Sequence, residues 1–240
     1  MDDGIPTEEL NGSRSPYRVD RALLVHDWPV LLLLAADVVF GLAIWPRMPV
    51  RVPTHFGVDG TPNRWGPSWV DAILLPGMAI GFYLLMLLLP LLDPRRANYA
   101  RFPRTLRIYR FSLSGLFVAI HVVLVRASFG AVVNAATSIQ VAVALLFIVL
   151  GNSLGRVRFN YFFGVRTPWT LNNEEVWNAT HRLAARLWVV CGVVLIPAAF
   201  LSGALGLAAR IGLIAIMVVV PVVYSFMLYR RIDTANGGGS

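Results

Sequence analysis

Six long apolar segments constrain the fold of this chain more than any other feature of its sequence. Each contains roughly 17 to 25 residues, which is the length that crosses about 30 Å of hydrocarbon as a helix. We therefore predict an all-α fold, a polytopic membrane bundle of about six transmembrane helices. The segments cover residues 29–45, 70–92, 111–129, 134–151, 183–201 and 207–229.

The composition excludes an ordinary soluble domain and argues against a nucleic-acid-binding protein. Of the 240 residues, 57% are apolar and 14% are charged, whereas a soluble domain has about half and about a quarter respectively. The net charge of +8 arises from 21 basic residues, all of them arginine, which lie mostly in loops between apolar segments. Loop arginines usually set membrane orientation, so we expect the lipid bilayer as a partner and no direct nucleic acid contact.

The arginines also predict the orientation of the bundle. Six spans place both termini on one side, and sixteen of the 21 arginines fall on that side. Because arginine-rich loops are retained in the cytoplasm, we predict that both the N and the C terminus are cytoplasmic. The segment 151–188 then lies at the cytoplasmic face, and the loop 46–69 is external.

The chain divides into four parts. Residues 1–28 are polar and lack the features of a signal peptide, and we predict a mobile cytoplasmic tail there. Residues 29–130 form a front half that contains the external loop 46–69. Residues 134–231 form a second half that contains the cytoplasmic motif 151–188. Residues 232–240 form a tail that ends in the linker-like sequence GGGS.

The external loop 46–69 is rich in proline and glycine, which excludes a regular helix, and its sequence DGTP is typical of a turn. One interpretation is a rigid hairpin whose tryptophans are anchored at the membrane interface. The other interpretation is a polar site at the outer mouth of the bundle, formed by His55, Asp59 and Arg64. The spacing of these residues does not decide between the two.

The most polar and aromatic stretch of the chain is FNYFFGVRTPWTLNNEEVWNATH, residues 159–181. After TPWT the sequence predicts a helix start, with Asn172 capping the first turn and Glu175 completing a capping box. Trp177 and His181 are four residues apart and share a face of this helix. We expect the helix to continue into the fifth span.

Two interpretations of this stretch remain open. In one, its tryptophans are interfacial anchors and its arginines contact lipid phosphates. In the other, which we favour, it closes a polar pocket on the cytoplasmic side, because it carries more directional hydrogen-bonding groups than anchoring requires. Those groups are Asn160, Tyr161, Arg166, Thr170, Glu175 and His181.

Two ionisable residues lie near the middle of predicted spans, Asp37 in the first and His121 in the third. An isolated charge at that depth costs about 2.5 to 3.5 kcal/mol on insertion scales, so we expect both side chains to face the bundle interior. Three possibilities stay open: a pair between them, separate hydrogen bonds to neighbouring helices, and a proton relay.

Little in the sequence indicates an enzyme. It contains no HExxH, GxSxG, P-loop or paired-cysteine motif. The four histidines fall at different depths or on different sides of the predicted bundle, so we expect no metal site, no cofactor and no catalytic residues. An intramembrane hydrolase that uses Glu175 and His181 is a less favoured hypothesis than a non-enzymatic membrane protein.

Two motifs resemble known families. The sequence PTHFGVDGTPNRW is similar to a motif of a domain of unknown function that often forms the front half of SdpI-like membrane proteins. The stretch GNSLGRVRFNYFFGVRTPWTLNNEEVWNATHRLAARLW resembles the signature of the SdpI family and departs from it mildly at Val165 and Ala185. The residues that match this signature are Asn160, Phe163, Gly164, Arg166, Thr167, Pro168, Trp169, Thr170, Glu175, Trp177, His181 and Arg182.

The resemblance implies a multi-pass protein of the bacterial cytoplasmic (inner) membrane that confers immunity to a membrane-active peptide toxin. It also implies a signalling role, in which the toxin-occupied protein holds a transcriptional repressor at the membrane. The alternative is a transporter or flippase for an amphiphilic substrate, with Asp37 and His121 in its path.

The two motif loops echo each other. FGVDGTPNRW and FGVRTPW share FGV, then TP, then Trp. Each follows the first span of a three-span half, so the echo fits either an inverted repeat or chance similarity between loops rich in glycine, proline and aromatic residues.

Overall fold

The computed structural model describes residues 17–57, 60–131, 134–235 and 237 of the chain. Within these residues, six helices are long and apolar enough to cross a membrane, which confirms the predicted all-α bundle. In chain order the helices and strands are α1 (Arg21–His26), α2 (Trp28–Ile44), β1 (Arg51–Phe56), β2 (Pro62–Pro67), α3 (Leu75–Leu92), α4 (Pro103–Ser128), α5 (Ala135–Leu154), α6 (Pro168–Asn172), α7 (Glu174–Ala198) and α8 (Gly203–Ala235).

Short irregular helices extend three of these elements. A 3₁₀ turn, Trp45–Arg47, continues α2, a π-helical turn, Val70–Leu74, leads into α3, and a 3₁₀ helix, Arg96–Arg101, precedes α4. Helices α4 and α7 begin at Pro103 and Glu174, eight and nine residues before the predicted spans. Hydropathy detects only the apolar part of such a helix, because the polar first turns project beyond the hydrocarbon.

The backbones of helices α5 and α7 approach each other closely. A Cβ atom added at Gly151 of α5 would lie 2.9 Å from the backbone nitrogen of Val189, and one added at Gly192 of α7 would lie 3.0 Å from the carbonyl oxygen of Ala144. Small residues at both positions let the two backbones approach closely, which is the usual basis of helix association in lipid.

The loop 46–69 folds into an antiparallel hairpin of β1 and β2, which we call the Pro/Gly hairpin (residues 51–67). Its register pairs Arg51 with Pro67 and His55 with Arg64, and it is irregular around His55. Between Arg51 and Pro67 the described residues form no helix, which agrees with the proline and glycine content, and the hairpin form agrees with the first of the two interpretations.

The structure differs from the predicted mobile tail over residues 17–28, while residues 1–16 of that tail lie outside the described residues. Asp20 caps α1 by accepting a hydrogen bond from the Leu23 backbone at 2.8 Å. Tyr17 and Asp27 are buried, and Tyr17 donates to the Leu87 carbonyl at 3.0 Å. Low apolar content does not indicate the order of residues 17–28, because these residues are held by specific polar contacts.

Candidate functional site

The SdpI-like motif connects α5 to α7 through an irregular segment, residues 155–167, which we call the signature loop. It packs on an aromatic cluster at one end of the bundle that includes Tyr99, Phe102 and Tyr109 from the front half and Phe163 and Trp177 from the motif. The Phe163 ring lies 5.9 Å from that of Tyr99 and 6.3 Å from that of Tyr109. The two halves of the chain therefore share one core beneath this loop.

Asn160 organises the turn of the signature loop. Its Oδ1 accepts hydrogen bonds from the backbone N–H groups of Phe162 and Phe163, at 2.8 and 2.6 Å. Its Nδ2 donates to the carbonyls of Arg158 and Phe163, at 2.7 and 3.1 Å. The side chain is fully buried, so its amide replaces the water that the loop backbone would otherwise need.

Asp93, which the motif patterns did not single out, anchors the loop to the front half. Its Oδ2 accepts hydrogen bonds from the Tyr99 hydroxyl at 2.5 Å and from the Tyr161 backbone at 2.9 Å. The Tyr99 oxygen also lies 3.2 Å from Asn160 Oδ1. Burial, and next the bond to Asp93, hold the pKa of Tyr99 far above its ordinary value. A signal existed in the sequence, since Asp93 is the only acidic residue between Asp71 and Glu174.

Arg95 packs against two aromatic rings of the signature loop. Its guanidinium lies 3.6 Å from the centre of the Phe159 ring and 4.4 Å from that of Tyr161. Such cation–π contacts favour a fixed arrangement of both rings. Tyr161 is one of the predicted site residues, and it remains 39% exposed.

His181 is a buried connection between α7 and the signature loop. Its ring stacks on that of Trp177 at 4.1 Å, which confirms that these two residues share a helix face. Its Nδ1 lies 2.8 Å from the Trp177 carbonyl, and its Nε2 lies 3.0 Å from the Val165 backbone nitrogen. Because the first partner only accepts and the second only donates, we assign the neutral tautomer with the proton on Nδ1. Both ring nitrogens are engaged.

Gly164 permits this approach of the loop to His181. Its φ is +107°, and a Cβ added there would overlap the His181 imidazole. Only glycine combines this backbone conformation with the absence of a side chain. The Gly164 position in the signature is therefore explained by the packing of the loop on His181.

Two threonines close the end of the loop. Thr167 is the N-cap of α6, its Oγ1 accepting from the Thr170 backbone at 3.2 Å, while Thr170 Oγ1 accepts from the Thr167 backbone at 2.9 Å. Pro168 occupies the first position of α6, where its missing N–H costs nothing. Thr167 also lies 3.1 Å from the Ser225 hydroxyl of α8, and the adjacent Trp169 ring lies 5.0 Å from that of Phe226.

The start of α7 lies one residue later than predicted. Asn172 ends α6, and Asn173 is the N-cap, accepting from the backbones of Glu175 and Val176 at 2.8 and 3.1 Å. Asn172 was the wrong choice because α6 and α7 follow each other with a single residue between them. The expectation that α7 continues into the fifth span is confirmed.

The motif residues thus separate into two groups. One group is buried and holds the loop together, namely Asn160, Phe163, Thr167, Thr170, Trp177 and His181. The other group is exposed on the surface of the motif, namely Tyr161, Arg166, Glu175 and Arg182. Arg166 donates to the Tyr161 carbonyl at 2.9 Å. Of the six groups expected to line a pocket, three are buried and used in folding the loop, namely Asn160, Thr170 and His181, and three are exposed, namely Tyr161, Arg166 and Glu175.

The Pro/Gly hairpin presents a different arrangement. His55 Nδ1 lies 2.6 Å from Asn63 Oδ1 in an exposed contact, and Arg64, opposite His55 in the register, is exposed. Asp59, the third residue of the predicted outer site, lies outside the described residues. The hairpin therefore contains Phe56, Gly57, Pro62 and Trp65 of the first echo, whereas the second echo lies in an irregular loop that leads into α6.

Ionisable and hydroxyl side chains also line one face of α4, a set we call the α4 polar row: Arg110, Ser114, His121 and Ser128. Asp37 and His121 are both buried, as predicted, and pair through Oδ1 and Nδ1 at 2.7 Å. Ser128 Oγ lies 2.8 Å from Asp71 Oδ2. At 1.5 Å per residue the row extends over about 27 Å, close to the thickness of the hydrocarbon core.

One end of the row is a buried ion pair. Arg110 donates through Nε and one terminal nitrogen to the two carboxylate oxygens of Asp27, at 2.8 and 3.0 Å. The Tyr83 hydroxyl donates to the same carboxylate at 3.0 Å. A bidentate pair of this kind fixes the start of α2 against α4 and α3. Among the described residues, no group of three His, Cys, Asp or Glu side chains could hold a metal ion.

Comparison with known proteins follows the two-part organisation of the chain. Residues 32–80 match the model of a domain of unknown function, DUF1648, and residues 156–225 match the model of the SdpI/YfhL protein family. The chain is 22% identical over 207 residues to "Immunity protein SdpI" of Bacillus subtilis (strain 168), covering 85% of this chain and 95% of that protein. No solved structure matches the chain significantly.

Proposed function

We propose that this chain protects its cell against a membrane-active peptide toxin. It is an SdpI-like membrane protein, in which residues that match DUF1648 are followed by residues that match the SdpI/YfhL family. The observation that carries this proposal is the similarity to an immunity protein over 95% of that protein's length. A match of that extent relates the two chains as whole proteins, beyond a shared motif.

We assign recognition to the exposed face of the signature motif. Tyr161, Arg166, Glu175 and Arg182 present an aromatic ring, two guanidinium groups and a carboxylate at one end of the bundle. The buried group beneath them supplies a rigid support, because residues whose neighbours are fully hydrogen-bonded need little reordering on binding. The arginine asymmetry favours a cytoplasmic position for this face in a bacterial inner-membrane protein.

Signalling through a sequestered transcriptional repressor uses the same face in this proposal. A cytoplasmic surface held on a rigid loop is accessible to a soluble protein, whereas the apolar helix surfaces contact lipid. Toxin bound to the exposed residues would be coupled to the rest of the bundle through the loop, since Thr167 and Trp169 contact α8 directly.

Toxin challenge tests the proposal. Cells of the native host that express the wild-type protein survive a dose of the host's cognate toxin that kills cells lacking the gene. Arg166→Ala, matched to wild type in membrane abundance, loses protection, whereas Arg186→Ala, at an exposed position on α7, retains it. Equal survival with and without the gene would overturn immunity, and full protection by Arg166→Ala would overturn the assignment to this face.

A second candidate function is transport of an amphiphile, and the α4 polar row favours it. Ionisable residues inside a membrane are costly and usually mark a pathway. Asp37 Oδ2, His121 Nε2, Asp71 Oδ1 and Ser114 Oγ are buried and have no hydrogen-bond partner in the described part of the chain. Near Asp71 the helix contains a π turn, a distortion frequent at functional sites.

Uptake into proteoliposomes tests transport separately from immunity. A transporter that uses this row shows pH-dependent uptake of a fluorescent cationic amphiphile, and Asp37→Asn removes the pH dependence. A flat pH profile in both proteins would exclude Asp37 from any proton-linked step. Asp37→Asn that still protects cells from toxin would separate the row from immunity.

A further inference from the structure

A cavity of about 450 Å³ lies between the segment 17–27 and the first turns of α4. This volume is in the range of about 300 to 1,000 Å³ that is usual for small-molecule sites. The cavity is walled by Tyr17 and Leu23 on one side and by Arg104, Arg107 and Arg110 on the other, and Tyr99 also lines it. It adjoins the aromatic cluster under the signature loop without including the exposed face of that motif.

The cavity is positively charged. Arg18, Arg104, Arg107 and Arg110 line it, against the two carboxylates of Asp20 and Asp27. Both carboxylates already have partners: Asp20 caps α1, and Asp27 accepts from Arg110 and Tyr83. The guanidinium groups of Arg18, Arg104 and Arg107 therefore outnumber the acidic groups available to balance them. The excess favours an anionic ligand.

Arg110 supplies the second observation that points to a ligand. The residue is 3% exposed, and while Nε and one terminal nitrogen bind Asp27, the other terminal nitrogen has no hydrogen-bond partner among the described residues. Buried guanidinium donors are seldom left unpaired. Arg110 also lines the cavity, so an anion bound there is a candidate partner for this nitrogen, and guanidinium geometry suits phosphate oxygens in particular.

The position of the cavity indicates where the anion comes from. Arg104, Arg107 and Arg110 precede the apolar part of α4, which starts at Phe111, so they lie at headgroup depth in the six-span arrangement. Outside the cavity, α1 and the start of α2 carry exposed apolar side chains, with Val25 58% and Trp28 62% exposed. Such side chains beside a short helix are typical of a segment at the membrane interface.

We propose that this cavity binds the phosphate of an anionic phospholipid headgroup, with the acyl chains lying along the exposed apolar residues of α1 and α2. The terminal nitrogen of Arg110 and the guanidinium groups of Arg104 and Arg107 hold the phosphate. The Tyr17 and Tyr99 hydroxyls donate to protein acceptors and take no part. The site is independent of the proposed immunity function, since none of its residues lies on the exposed face of the motif.

The test is binding of short-chain phosphatidic acid to the purified full-length protein in neutral detergent, measured by native mass spectrometry. Phosphatidylcholine of the same chain length and inorganic phosphate are the comparison ligands. The test variant is Arg104→Gln/Arg107→Gln. The control variant is Arg230→Gln/Arg231→Gln, which removes two exposed arginines from the end of α8, on the same side of the six-span arrangement. Arg104→Lys/Arg107→Lys retains the charge.

We expect one phosphatidic acid per protein, bound more tightly than phosphatidylcholine. Two charges near a membrane surface correspond to about a 30-fold loss of affinity in the Gln/Gln test variant, with no loss in the control and most of the affinity restored by the lysines. Equal losses in test and control variants, or no loss in either, would overturn the site. Inorganic phosphate that binds as tightly as phosphatidic acid would overturn the lipid as its source.

Discussion

The Pro/Gly hairpin and the signature loop start from similar sequences and satisfy their backbones in opposite ways. In the hairpin, backbone groups pair with each other across β1 and β2, and side chains such as His55 and Asn63 remain exposed. In the signature loop, the backbone N–H groups of residues 161, 162, 163 and 165 donate to the side chains of Asp93, Asn160 and His181.

This difference determines how well each region tolerates substitution of its side chains. The hydrogen bonds between two paired strands form whichever side chains the strands carry, because both donor and acceptor belong to the backbone. A loop whose backbone is satisfied by side chains depends on each of them, since removing one leaves buried donors unpaired. Asn160 and His181, which match the signature, are accounted for by this dependence, and we assign recognition to the exposed group.

The largest effect is expected of Asn160→Ala. It leaves the half-buried backbone donor of Phe162 and the buried donor of Phe163 without an acceptor, and it removes one acceptor of the Tyr99 hydroxyl. Each unpaired group costs about 1 to 3 kcal/mol. The free energy of unfolding, measured by denaturant titration in mixed micelles, should fall by about 5 kcal/mol on the same basis. Asn63→Ala in the hairpin is the matched control, with a change within about 0.5 kcal/mol. Similar losses in the two variants would remove the contrast between the regions.

A slightly smaller loss is expected of Gly164→Ala. Its positive φ costs about 1 to 3 kcal/mol for a non-glycine residue, and the added Cβ meets the His181 ring, which costs about 1 to 3 kcal/mol more. Gly60→Ala in the hairpin turn also has a positive φ, of +81°, but meets only the side chain of Asn134, so its loss should be about 1 to 2 kcal/mol.

A double-mutant cycle checks the physical origin of that loss. In the background of His181→Ala, Gly164→Ala should cost only its backbone strain, because the ring that it would meet is gone. An unchanged cost in that background would show that the contact with His181 is not the reason for glycine at this position.

Alkaline pH should weaken the signature loop before the hairpin. The pKa of Tyr99 is raised above its ordinary value of 10.0, so the folded state holds the phenol proton more tightly than the unfolded state. The resulting stability is complete below pH 10 and is lost as pH rises above it, by up to about 1.4 kcal/mol per pH unit. Unfolding titrations between neutral and alkaline pH should show a smaller decline for Tyr99→Phe than for wild type.

The smallest effect on stability is expected of Arg166→Ala. It removes one hydrogen bond at an exposed position, so the free energy of unfolding should change by less than about 0.5 kcal/mol. This variant separates recognition from folding, since the toxin challenge described above predicts loss of protection. A destabilisation as large as that of Asn160→Ala would place Arg166 among the supporting residues.

Much of the architecture could be predicted because hydropathy and length determine it. The six spans follow from apolar segments long enough to cross lipid, and the interior position of Asp37 and His121 follows from the cost of exposing a charge there. Their pairing was one of three open possibilities and could not be selected, because it depends on the rotation of α2 against α4. The early starts of α4 and α7 were not predicted, because their first turns are polar and hydropathy does not detect them.

The site was predicted less well than the fold. The motif residues were identified, but their division into buried and exposed groups depends on tertiary contacts that no spacing reveals. Asp93 lies 67 residues before Asn160 in the sequence, so its role in the loop becomes visible only when the two halves are packed together. Asn172 was chosen as the cap because asparagine suits the role, and the break between α6 and α7 was not foreseen.

Hydrogen exchange of the signature loop tests the central claim most directly, namely that side chains satisfy its backbone. In the wild-type protein in micelles, the amides of residues 161, 162, 163 and 165 should exchange far more slowly than those of an unstructured peptide. In Asn160→Ala the amides of residues 162 and 163 should lose this protection, while those of the hairpin strands keep theirs. Rapid exchange of the four amides in the wild-type protein would contradict the account.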